Sequence, residues 1–323
     1  MLAAGLLSCA GTRALIPLLH RREVLDHPNE RSLHAAPTPR GGGIALIAAV
    51  LLSWAVLDGA AAPIGVRLVI PLAACFIAVV SWLDDLNGLP AAWRLLAQAA
   101  AVAVGIVFLP EPGEVFQGWL GLGIDRLAAG IVWLWFVNLY NFMDGSDGLA
   151  GGEAATIALG LTLFAAIGAG ADADAAVRAG CITAAAIGFL AWNWAPARIF
   201  LGDVGSVPLG YLLGYLLLDL AARGRWQIAL ILPLYFLADA TITLLRRLLR
   251  GERIWRAHRE HFYQQAVRRG LAHAAVARRV IAVNLGLIAC GWAAENGAGL
   301  FALAAAIVLV GALLLSFARG KPV

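Results

Sequence analysis

Eleven apolar runs, at about 2–20, 42–60, 65–83, 94–110, 120–140, 150–168, 177–195, 205–221, 226–247, 278–294 and 298–317, leave this chain few options. Each approaches the roughly 20 residues an α-helix needs to cross hydrocarbon. Lipid offers no partner to backbone N–H and C=O groups, so such runs must form helices. The 323 residues are 61% hydrophobic and only 14% charged, against about 25% charged in a soluble chain. The expected fold is an all-α polytopic membrane protein with ten to eleven transmembrane helices. It forms one integral unit over 1–323, with a basic loop at 248–277 and no separate soluble domain. The first run lacks a charged start and is followed by Arg21 and Arg22, which reads as a span and not as a cleaved signal. Cys9, Cys75, Cys181 and Cys290 fall in separate runs without metal-ligand spacing and are expected as small buried hydrophobes.

Orientation follows from charge. The loops after odd-numbered runs, with their borders and the C-terminus, hold eighteen arginines and lysines. The opposite loops hold five: Arg67, Arg126, Arg178, Arg223 and Arg225. Positive loops stay cytoplasmic, so the odd loops face the cytoplasm and the N-terminus faces out. The halves show no mirrored repeat, which weighs against a transporter of inverted repeats.

Every acidic motif falls on that cytoplasmic face. Asp84, Asp85, Asp144, Asp147 and Asp203 stand at the ends of apolar runs, in S-W-L-D-D, N-F-M-D-G-S-D-G-L-A and F-L-G-D-V-G-S. Carboxylates beside hydrocarbon are unfavourable and mark chemistry or an ion path. The adjacent pair Asp84 and Asp85 suits metal binding or general-base work, or else a solvated helix cap. Arg94, at the start of the fourth run, can pair with a phosphate or with this dyad. Asn141, Asp144 and Asp147 recur every three residues, a row fit for a nucleobase, a ribose or a hydrated metal. Asp203, between Gly202 and Gly205, offers a magnesium ligand, since magnesium takes few carboxylates plus phosphate oxygens and water. Phe200 can stack on a base and Asn193 can hydrogen-bond one; the alternative for both is core packing. Arg40 beside Gly41–Gly43 suits phosphate, with the glycines letting backbone approach it closely. The last long loop carries eight arginines from Arg246 to Arg269, Arg259 among them, with His258 and His261 three apart. Arginine favours phosphate, although such a run also serves topology and lipid contact. Asp239, within the ninth run and seven residues before Arg246, either supports the site from behind its ligand-facing residues or faces the cytoplasmic mouth, the second being preferred.

Taken in order, P-T-P-R-G-G-G, L-D-D, N-x-x-D-G-x-D-G-L-A, F-x-G-D-x-G-S and H-x-x-H-x-Y-Q resemble the motifs of the polyprenyl-phosphate N-acetylhexosamine-1-phosphate transferases, of the glycosyltransferase family 4 type. That membrane family includes the peptidoglycan phospho-N-acetylmuramoyl-pentapeptide transferase. The resemblance covers nearly the whole chain. It implies transfer of a sugar phosphate from a UDP-sugar to a lipid phosphate, with release of UMP. It also implies roles: Asp84 and Asp85 as the acidic catalytic pair, Asp203 on magnesium, and Asn141, Asp144 and Asp147 near the nucleotide. Phe200 would lie on uracil, Asn193 ten residues before the metal aspartate, and Thr38 in the P-T-x-x-G loop. Relatives with clustered histidines differ from this chain, where the matching stretch is His261-Phe262-Tyr263-Gln264. That form looks like the subgroup initiating O-antigen with N-acetylfucosamine, N-acetylquinovosamine or N-acetylglucosamine, and only His261 is carried over as catalytic.

The expected partners are therefore a UDP-N-acetylhexosamine, undecaprenyl phosphate, the lipid bilayer and Mg2+, with Mn2+ as an alternative. No nucleic acid is expected, and a homodimer is left open. The expected location is the bacterial inner membrane with the site facing the cytoplasm. Direct in-line attack would have Asp84 position or deprotonate the lipid phosphate, against a covalent phospho-aspartate route. The alternative functions are the muramoyl-pentapeptide donor within the class and an ion-coupled transporter outside it.

Overall fold

The structure is a computed structural model that describes residues 1–28, 33–34, 36–57, 63–110, 113–167, 171–253 and 258–319. Arg31, Arg256 and Lys321, counted above for orientation, and four residues of the basic loop (254–257) lie outside the described residues.

Each of the eleven runs contributes a helix over most of its described residues. In chain order they form α1 (Leu2–Arg21), α2 (Gly43–Leu57), α3 (Ile70–Asn87), α4 (Ala91–Ile106), α5 (Leu122–Phe142), α6 (Leu149–Ile167), α7 (Ala173–Asn193) and α8 (Asp203–Leu220). The ninth run is split into α9 (Trp226–Ile231) and α10 (Leu234–Leu249). A short α11 (Phe262–Arg268) follows, then α12 (His273–Ala293) and α13 (Gly299–Arg319). The protein is a multi-pass membrane protein. Among the described residues, seven helical stretches are long and apolar enough to cross a membrane, while α2 and α4 are apolar but shorter. Two of these stretches each hold two helices: Gly224 and Gly297, with φ +87° and +88°, turn the chain between α8 and α9 and between α12 and α13, and α12 packs on α13. Leu232 and Pro233 break the ninth run, because proline cannot supply the N–H that a continuing helix needs.

One departure from an all-helical fold is a two-residue antiparallel ribbon. It pairs β1 (Leu25–Asp26) with β2 (Thr38–Pro39), Leu25 facing Pro39 and Asp26 facing Thr38. The cysteines also depart from expectation: only Cys181 is buried, and Cys75 is exposed. On a membrane protein's outer face a small apolar side chain meets lipid without penalty.

The helix that positions the site is α8. It is apolar on every side, and such a helix belongs in the interior; from Val204 to Leu220 every residue is buried. Its glycines allow close approach. A Cβ on Gly214 would lie 2.5 Å from the Trp133 ring, and one on Gly210 would lie 3.1 Å from the Val137 backbone, both on α5. Asp203, its first residue, is thereby delivered to the end of the bundle where the other motifs meet.

Candidate active site

A helix begins with N–H groups that have no acceptor inside the helix. At α8 the acceptor comes from another helix. Asp85, in the last turn of α3, accepts from the Asp203 N–H through Oδ1 at 3.3 Å and from the Val204 N–H through Oδ2 at 3.0 Å. Arg40 donates to the Asp85 backbone carbonyl and lies 3.4 Å from Oδ1. The Asp85 side chain is 1% exposed. It is therefore the seat of α8, held by backbone and guanidinium together.

Asp84, its neighbour, faces the other way. Its Oδ1 accepts from the Leu89 N–H at 2.6 Å and its Oδ2 from Arg94 at 2.8 Å. The same Arg94 nitrogen is 3.6 Å from Asp203 Oδ2. Arg94 thus stands between two carboxylates. Asn141 donates to Asp203 Oδ2 at 3.4 Å, and Ser206 donates to Asn141 Oδ1 at 2.6 Å, which turns the amide nitrogen toward Asp203. Asp144 sits in the loop between α5 and α6, and its carboxylate accepts no hydrogen bond among the described residues. Burial, and then the charges of Asp203 and Asp85, push it up to about 8.

Four carboxylates (Asp84, Asp85, Asp144 and Asp203) therefore face two guanidiniums, Arg40 and Arg94. Fully ionised, the cluster carries two negative charges in excess, the charge of one divalent cation. Among the described residues no three His, Cys, Asp or Glu side chains close on one point. Magnesium takes one or two carboxylates and completes its shell with phosphate oxygens and water. Asp203 and Asp144 have the chemistry for it.

The glycines of the Arg40 loop are engaged in packing. Phe200 N–H donates to Pro39 O at 2.8 Å, and Gly42 and Gly43 donate to the carbonyls of Phe200 and Leu201, each at 2.9 Å. A Cβ on Gly43 would lie 2.2 Å from Gly205 Cα, and one on Gly42 would lie 2.6 Å from the Phe189 ring. These contacts lay the Arg40 loop on the Asp203 loop. Thr38 is buried and donates to Ala36 O at 3.1 Å. Phe200 is half-buried, with the His34 ring edge-on at 4.8 Å.

Two residues expected at the substrate hold loops together instead. Asn193 is buried; its Oδ1 accepts from the Gly148 N–H at 3.0 Å and its Nδ2 donates to Ile199 O at 2.9 Å. It is a strut between the two motif loops, with one acceptor site and one donor of the amide engaged by backbone. Asp147 likewise accepts from the Ala197 N–H at 3.0 Å and lies 3.9 Å from His273. His273, which also bonds Ser146 at 2.8 Å, carried no sequence signal, since it lies 127 residues from Ser146. Ser206 was legible within F-L-G-D-V-G-S but not as the partner of Asn141.

Asp239 does not face the mouth. It is fully buried and accepts from Phe262 N–H at 2.9 Å, Tyr263 N–H at 3.2 Å and Tyr235 OH at 3.3 Å, with His261 Nδ1 also at 3.3 Å. It anchors α11 and orients His261, whose remaining ring nitrogen is left for other partners. Tyr263 OH donates to Phe142 O at 3.3 Å, docking α11 beside the Asp144 loop. His258 lies 4.9 Å from His261, ring to ring. Burial, then His261 and Arg247, lower it to about 4, so it is neutral at pH 7. Arg259, between them in the chain, is half-buried.

Comparison with known proteins agrees with this geometry. Residues 67–221 match the model of glycosyl transferase family 4. The chain is 29% identical to a probable undecaprenyl-phosphate N-acetylglucosaminyl 1-phosphate transferase of Bacillus subtilis, covering 77% of this chain and 71% of that protein. It is 27% identical to a decaprenyl-phosphate N-acetylglucosaminephosphotransferase of Mycobacterium leprae, covering 90% and 81%. It is 30% identical to a phospho-N-acetylmuramoyl-pentapeptide-transferase of Mycolicibacterium gilvum, covering 79% and 82%. The chain belongs to glycosyl transferase family 4. It is a membrane-embedded sugar-phosphate transferase, which sets the ion-coupled transporter aside.

Proposed function

We propose that this enzyme transfers an N-acetylhexosamine 1-phosphate from a UDP-sugar to undecaprenyl phosphate at the cytoplasmic face of a bacterial inner membrane. UMP is released, and a lipid-linked O-antigen or related envelope glycan is begun. The donor sugar is of the N-acetylglucosamine, N-acetylfucosamine or N-acetylquinovosamine type. The observation that carries this reading is Arg94 held between Asp84 and Asp203, at 2.8 Å and 3.6 Å. Both substrates are anionic, so their approach requires cations of defined position. A phosphate oxygen of the lipid attacks the sugar-bearing phosphorus; the new P–O–P bond forms as the bond to UMP breaks. Bound at Asp203 and Asp144, magnesium would neutralise the diphosphate charge. Arg94 and Arg40 supply fixed positive charge, Asp84 positions the attacking phosphate, Phe200 offers a face to the base, and His261 faces the diphosphate. A phosphate monoester has a second pKa of about 6, so at pH 7 positioning by Asp84 outweighs deprotonation.

The test is UMP release by purified enzyme with undecaprenyl phosphate, Mg2+ and a panel of UDP-N-acetylhexosamines. Turnover with one of them is expected; release from none refutes the proposal. The muramoyl-pentapeptide donor belongs in the panel, because one relative matched at 30% identity carries that name. Turnover with that donor alone would favour it.

A further inference from the structure

Glu153 lies in α6, one turn beyond the Asp144 loop, and is fully buried. A carboxylate inside a membrane bundle is unfavourable, and its partners show what retains it. Asn284, on α12, donates to Glu153 Oε2 at 2.7 Å and to Thr156 Oγ1 at 2.8 Å. The backbone N–H of Phe236, at the start of α10, faces the same carboxyl group, and Oε1 has no hydrogen-bond partner among the described residues.

The break in the ninth run explains the arrangement. The first bond inside α10 is Leu237 N–H to Pro233 O at 3.0 Å. The N–H groups of Leu234, Tyr235 and Phe236 therefore have no acceptor in their own helix, and hydrocarbon offers none. A carboxyl group at a helix N-terminus also opposes the helix dipole. One turn along α10, Tyr235 reaches Asp239, which holds His261 and the start of α11.

We propose that Glu153 is a positioning residue. It seats the start of α10 against α6 and α12, and through α10 it sets where Asp239 holds His261. The Asp144 loop runs directly into α6, so one carboxyl group references both halves of the site. This inference rests on the transferase reading above, in which His261 faces the diphosphate.

The test is a double-mutant cycle on UMP release, with Glu153→Ala, His261→Ala and both together. A misplacement of about 1 Å lowers turnover by up to about 100-fold, so Glu153→Ala is expected to lose about 10- to 100-fold in kcat. In the His261→Ala background the same change is expected to add less than about 2-fold, as for residues acting through one another. Glu153→Gln is expected to recover most of the loss: its oxygen can accept from Phe236 while its nitrogen donates to Asn284 Oδ1, now without a partner. An equal loss in both backgrounds, or a Gln variant as poor as Ala, overturns the proposal. Should Glu153→Ala fail to accumulate, Asn284→Ala is expected to give the same pattern at smaller size. Amide exchange is the readout independent of activity. Exchange at 234–236 and 261–264 is expected to rise in the Ala variant, and unchanged exchange overturns the seat. Absence of any transfer by the wild type would instead refute the transferase reading and leave the exchange result to decide the seat.

Discussion

Asparagine at position 85 and asparagine at position 84 are expected to fail differently, although the residues are adjacent. Asp85 accepts two backbone N–H groups at the head of α8 and pairs with Arg40, in a side chain 1% exposed. In Asp85→Asn one oxygen becomes an amide nitrogen that faces an N–H donor. One hydrogen bond to a charged acceptor, about 1.5–3 kcal/mol, is lost. The Arg40 pair is weakened as well, although Arg40 is 34% exposed and recovers some hydration. A net loss of about 3 kcal/mol is expected, which lowers the melting temperature by several degrees. Asp84→Asn weakens a pair with Arg94, itself 38% exposed, and is expected to lose about 1 kcal/mol or less. Its loss falls on turnover, because Arg94 is then free to collapse onto Asp203. The assay is thermal unfolding of both purified variants beside UMP release at saturating Mg2+. A normal melting temperature for Asp85→Asn together with a large drop for Asp84→Asn would refute the division of roles.

Three further outcomes are expected. Asp203→Asn should lose magnesium-dependent turnover by at least about 100-fold, measured as UMP release against Mg2+; full magnesium-dependent turnover would sink the metal assignment. Gly43→Ala should destabilise the enzyme by about 1–3 kcal/mol, because its Cβ would lie 2.2 Å from Gly205 Cα, whereas Gly311→Ala, with nothing within 4 Å, should melt like the wild type. His258 is lowered from 6.5 to about 4, so between those values the unfolded chain binds a proton that the folded chain refuses. Stability is complete above about pH 6.5 and declines as pH falls toward 4. Half exposure limits this contribution to about 1 kcal/mol. The melting temperature of His258→Gln should therefore fall less between pH 7 and pH 5 than that of the wild type; equal falls would exclude His258 as the source.

The membrane class, the order of the helices and the four aspartates that cluster with Arg40 and Arg94 were legible in the sequence. Each depends on information local in the chain. A run of about 20 apolar residues dictates a helix wherever it stands, and an arginine excess orients loops without reference to other helices. Asp84, Asp85, Asp144 and Asp203 were legible because charge at the edge of an apolar run stands out. The roles inside the site were not, since they depend on partners remote in sequence. Asp85 differs from Asp84 only because α8, 118 residues later, begins against it. Gly43 reads as a ligand cradle until α2 and α8 cross at that point and leave no room for a side chain. Asn193 reads as a base reader until Gly148 and Ile199 occupy its amide. Asp239 reads as an acid at the cytoplasmic mouth until α11 places its first N–H groups beside it. The sequence by itself determined that this is a helical membrane transferase with its acids on one face. Tertiary structure alone decided which acids build the site and which are left to act there, because a buried carboxylate takes its role from the donors that surround it.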